Sequence, residues 1–71
     1  MKKIEEAISA VRGEMRHIGL DPVACSSLDA ERVLDDLGRK GIDAGKWFWS
    51  ASEAQVRAFR KGWEKWLTSA K

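Results

Sequence analysis

Apolar side chains recur along the chain at helical intervals, in three blocks separated by glycine- and serine-containing breaks. In the first block Ile4, Ala7, Ile8, Val11, Met15 and Ile18 follow one another at three- and four-residue steps. That spacing puts them on one stripe of a helix over about residues 2–18, roughly 25 Å long. Glu5 and Glu6 suit the positive end of its dipole. Gly19 offers a left-handed stop, Leu20 can fold back as its hydrophobic contact, and Pro22 follows.

The second block opens at Ser26-Ser27-Leu28-Asp29, where a serine hydroxyl can cap free amides and Asp29 and Glu31 fall in the first turns. Leu28, Ala30, Val33, Leu34 and Leu37 supply the stripe. The helix is predicted to reach about Lys40, with Gly41 as its stop and Ile42 folding back. The third block starts at one of two capping boxes, Ser50 with Glu53 or Ser52 with Gln55. With Ser50 as cap, Trp49 and Ala54 take the hydrophobic-staple positions. Val56, Phe59, Trp63, Trp66, Leu67 and Ala70 make one stripe beyond it. Only Trp47-Phe48-Trp49 hints at an extended segment, and three residues are too few to decide. The pattern predicts an all-α single domain over residues 1–71. Its architecture is a small three-helix bundle with helices at about 2–18, 27–40 and 51–69, or a helical hairpin with an extra helix.

Two glycines sit inside predicted helices, where each costs about 1 kcal/mol relative to alanine. Gly13 has no evident purpose. Gly62 lies beside Ala58 and Ser69 on the helical wheel, flanking the aromatic stripe and Trp66. Those small side chains would admit a close helix contact at Ala58, Gly62 and Trp66, within the bundle or across a homodimer.

Size sharpens this picture. A chain of 71 residues buries only about 60–65% of its unfolded surface, so packing or self-association must stabilise it. One cysteine, Cys25, excludes an intrachain disulfide, and with one histidine, His17, no closed structural zinc site is expected. Dimerisation is therefore expected. No apolar run approaches the roughly 20 residues of a transmembrane helix, and the N-terminal segment is too acidic and too interrupted for a signal peptide. A cytoplasmic protein with a reduced thiol follows.

The net charge of +2 is unevenly spread. Residues 1–45 carry seven Lys/Arg against nine Asp/Glu, and residues 46–71 carry six against two. Both phenylalanines and all four tryptophans share the basic part, within residues 46–67.

Candidate chemistry is sparse. His17, Asp21 and Cys25 have the residue types of a nucleophilic set, but Gly19 and Pro22 break any helix between them. Asp35 and Asp36 are adjacent and point about 100° apart, so they read as a solvated acidic face. The glycines of GIDAG, residues 41–45, lack a phosphate-loop signature. No catalytic residue, metal or cofactor is predicted.

Arg57, Lys61 and Lys65 form a basic row with Arg60 beside it, which would suit a nucleic-acid backbone. Glu53 and Glu64 interrupt that face, and the stripe tryptophans lie away from it. The break before the third helix is also too long for a helix-turn-helix. A membrane-surface helix would use the same features, but two other helices stand ready to cover its apolar face.

Medium-sized stripes on the first two helices cannot cover every large aromatic. An extended Trp47-Phe48-Trp49 would turn Trp47 and Trp49 to one side and Phe48 to the other. A partner-binding surface is therefore expected at Lys46, Trp47, Phe48, Trp49, Arg57, Arg60 and Lys61, since Trp and Arg dominate binding hot spots. The expected function is non-enzymatic and stoichiometric. The chain would bind another protein as a regulator, inhibitor or adaptor, a role common among small phage- and mobile-element-encoded proteins. A nucleic-acid-binding regulator using the basic face of the third helix is the alternative.

Overall fold

The computed structural model describes residues 2–70, which form four α-helices and two 3-10 turns with no strand among the described residues. Helix α1 spans Lys2–His17, α2 Ser27–Arg39, α3 Asp43–Lys46 and α4 Glu53–Ala70. The turns are Pro22–Ala24 and Trp47–Ser50. The three long helices are those the apolar spacing predicts, each end within two residues. The addition is α3, in a stretch that carries no periodic signal.

Local chemistry sets the boundaries. Gly19 and Gly41 have φ of 84° and 81°, the left-handed region a side chain disfavours. Each lets the next backbone N–H turn back: Leu20 donates to Met15 O at 2.7 Å and Ile42 to Leu37 O at 3.1 Å. The backbones of Leu20 and Ile42 fold back as expected, yet both side chains stay substantially exposed. Ser26 and Asp29 form a reciprocal capping box at the start of α2. Of the two boxes available to α4, Ser52 with Gln55 is the one formed. Ser50 instead donates to Trp47 O, so the Trp49–Ala54 staple does not arise.

The core takes Ile4, Ala7, Ile8, Val11 and Met15 from α1, Ala30, Leu34 and Leu37 from α2, and Phe59 and Trp63 from α4. Each large side chain buried there contributes roughly 1.5–3 kcal/mol. Some stripe members fall outside it. Ile18 lies past the last turn of α1 and Leu28 is in the first turn of α2, and both are exposed. On α4, Val56, Trp66 and Leu67 are half-buried and Ala70 is exposed. Trp63 is fully buried, and its indole N–H donates to Cys25 O at 3.0 Å. One side chain thus ties α4 to the start of α2 and satisfies its own polar group.

Glycine sets the tightest approach. A Cβ on Gly45 would lie 2.6 Å from Gly38 N and 2.7 Å from Leu34 O. Only two glycines facing each other let the backbones of α2 and α3 come this close. Gly62 plays a milder version of the part, since a Cβ there would meet Ile8 Cδ1 at 2.8 Å and Ile4 Cγ2 at 3.3 Å. The close helix contact expected at Gly62 therefore lies inside the chain, between α4 and α1. Gly13 has open space around it.

Candidate interaction surface

The Trp47–Ser50 segment is one turn of 3-10 helix continuing directly from α3, not an extended strand. This corrects the expected alternation. At about three residues per turn, three consecutive side chains point in three directions. Trp47 and Phe48 are half-buried and pack on the core. Their rings meet edge-on at 6.0 Å, and Phe48 lies 6.4 Å from Phe59. Trp47 packs by shape alone, because its shielded indole N–H has no hydrogen-bond partner among the described residues. Lys3 of α1 lies over its ring at 5.9 Å.

Trp49 points outward and is 62% exposed. Its Nε1 lies 3.0 Å from where a Cβ on Gly38 would stand, so the indole lies against bare α2 backbone. Gly38 is seven residues beyond Glu31, about 10 Å along α2 at 1.5 Å per residue. Glu31 is 9% exposed, and its carboxylate accepts from Arg60 Nε at 2.8 Å. That bond holds the Arg60 guanidinium above its ordinary range. Trp49 and Arg60 therefore sit on one flank of α2, with the Asp35–Arg39 pair at 3.1 Å beside them.

The other expected contact residues divide. Lys46 pairs loosely with Asp43 at 3.6 Å, and Arg57 pairs with Glu53 at 3.1 Å. Lys61 is exposed, with no carboxylate in ion-pair range among the described residues. Half of the basic row on α4 is thus neutralised within the chain. The α2 acids Asp35 and Asp36 pair with Arg39 and Lys40 on their own helix, and only Glu31 reaches α4. Lys40 also bonds Glu14 of α1 at 2.7 Å, and these hydrogen bonds, Glu14 first, hold its amine above the usual range.

Ala58, Gly62 and Trp66 line an open groove of about 520 Å³ between α1 and α4. Ile4 and Ile8 lie along its α1 side, with Glu5 and Arg12 beside them and Lys65 on the α4 side. Arg12 lies over the Trp66 ring at 4.9 Å.

The nucleophilic set does not assemble. His17 is exposed, while Cys25 is buried and donates its thiol proton to Asp21 O at 3.4 Å. Burial, then the nearby Asp29 and Asp21 charges, pushes the Cys25 thiol up, away from the reactive thiolate. Among the described residues no group of His, Cys, Asp or Glu is arranged to hold a metal ion. No described helix is long and apolar enough to cross a membrane.

Sequence reasoning missed Gly38 and Gly45, whose close approach provides the platform for Trp49. The available signal was weak: a glycine inside the second apolar block and another at the end of GIDAG. No family model matches the chain, and no curated protein or solved structure matches it either.

Proposed function

We propose that this chain is a small, non-enzymatic helical protein that binds another protein stoichiometrically, as a regulator, inhibitor or adaptor, with Trp49 as its anchor. The observation that carries the reading is the split within one aromatic turn. Trp47 and Phe48 are packed against the core, while Trp49 is 62% exposed on a glycine-backed platform. An exposed indole buries a large area on docking, and with only two rotatable side-chain bonds it loses little entropy. Lys46, Arg39 and Arg60 already hold Asp43, Asp35 and Glu31, so the feature a partner of Trp49 must offer is an apolar pocket. A cytoplasmic setting belongs to the same proposal, supported by the single unpaired thiol.

A photo-crosslinking amino acid at the exposed position 46 should trap the partner at one copy per chain, and adding Trp49→Ala should abolish capture. Trp47 packs inward, so its replacement would disturb the fold and is no control. Self-association is part of the same reading, supported by the small core. If sedimentation shows a dimer that Trp49→Ala converts to monomer, the second copy is the partner. If crosslinks at position 46 reach no protein while Trp49 is intact, the reading fails. Nucleic-acid binding has less support, because Arg57 and Arg60 are paired with Glu53 and Glu31.

A further inference from the structure

The groove between α1 and α4 lies on the other side of α4 from the Glu31–Arg60 contact. Positions 58, 62 and 69 cluster about 180° from position 60 at 100° per residue. It is therefore a second surface, separate from Trp49. Its floor is apolar: Ile4 and Ile8 close on Gly62 and fill the space its missing side chain leaves. Trp66 forms one wall.

Charge identifies the occupant. On α4, Arg57 and Arg60 each hold a carboxylate. Lys65 lines the groove and Lys61 stands one turn before it, and neither has a carboxylate in range among the described residues. Across from them Arg12 lies on the Trp66 ring, and its Nε is shielded from solvent without a hydrogen-bond partner among the described residues. Glu5 is the one acid lining the groove. An apolar trough flanked by unpaired cations is complementary to a ridge of apolar side chains flanked by carboxylates. The residues along α4 from Ala58 to Ser69 span about 16 Å, the length of three helical turns.

We infer that this groove receives an acidic amphipathic helix from a protein partner. Apolar residues at i, i+3 or i+4, and i+7 would enter between α1 and α4, with Asp or Glu facing Lys65, Lys61 and Arg12. Ile4, Ile8 and the Trp66 ring give the incoming ridge an apolar bed, and the cations set its charge and register.

The test is selection from a displayed library of helical peptides with randomised surface positions, using the full chain. Enrichment of apolar i, i+3/i+4, i+7 patterns flanked by Asp or Glu is expected. Fluorescence anisotropy with the best peptide should show binding at least tenfold weaker to Lys65→Glu, with the helical circular dichroism unchanged. A peptide with only the acid that faces position 65 changed to Lys should restore binding to that variant, and Trp49→Ala should leave groove binding intact. Failure to enrich any peptide overturns the inference. So do selected peptides without acidic bias, binding indifferent to Lys65→Glu, or a DNA duplex that displaces the peptide at moderate salt. None of these outcomes depends on the Trp49 reading.

Discussion

Trp63 and Trp49 belong to the same aromatic-rich stretch and meet opposite fates. Trp63 is fully enclosed, with its indole N–H satisfied by Cys25 O. Trp49 lies open to solvent over a glycine. Side chain and charge surroundings are similar in sequence, so residue type alone does not decide between core and surface. Backbone conformation does. Trp63 sits mid-helix on a stripe that two other helices cover, whereas Trp49 is the third residue of a 3-10 turn whose first two residues have already taken the inward directions.

The largest effect expected from breaking this contrast is at the buried end. Trp63→Ala removes the biggest core side chain and leaves Cys25 O without its donor. A loss of about 3–5 kcal/mol is expected, enough to unfold much of so small a domain in urea melts followed by circular dichroism.

Next comes the platform of the exposed end. Gly45→Ala drives a methyl group into the backbone of α2, which cannot move aside as a side chain can. A loss of about 1–3 kcal/mol is expected, together with a shift in Trp49 fluorescence as α3 moves. Gly62→Ala is the matched control, because its nearest neighbour is the flexible tip of Ile8. Its gain of about 1 kcal/mol in helix propensity offsets the crowding, so the urea midpoint should change little.

Trp49→Ala should alter stability by no more than about 0.5 kcal/mol, while removing partner capture. A loss comparable to that of Trp63→Ala would place Trp49 in the core.

The smallest effect is in pH. The Cys25 thiol is raised from its ordinary 9.0, chiefly by burial, and the Lys40 amine from its ordinary 10.5, chiefly by the Glu14 hydrogen bond. A group whose pKa rises on folding stabilises fully below its unfolded value and loses that contribution above it. Both groups should leave the urea midpoint flat through neutral pH and lower it on the alkaline side. Cys25→Ala should remove the part of the decline that begins near 9.0.

Most of the scaffold was legible in the sequence because helical periodicity, serine caps and glycine stops each act over a few residues. The stripes of α1, α2 and α4 follow from spacing alone. What spacing missed depends on contacts between distant segments. The four residues of α3 have too short a period to register, and the value of Gly38 lies wholly in Gly45 standing opposite. For the same reason the expected contact surface was partly legible. Lys46, Trp49 and Lys61 are exposed, but Trp47 and Phe48 turn inward and Arg57 and Arg60 hold carboxylates within the chain. Which cation finds a carboxylate across helices, as Arg60 finds Glu31, cannot be read from a helical wheel.

The split between inward and outward tryptophans is open to direct measurement. With all four tryptophans replaced by 5-fluorotryptophan, fluorine NMR gives one signal per indole, assignable by single Trp→Phe variants. The signal of Trp49 should show the largest shift between H2O and D2O and that of Trp63 essentially none, with Trp47 and Trp66 between them. A Trp49 signal as insensitive to solvent as that of Trp63 would contradict the exposed anchor on which the proposed function rests.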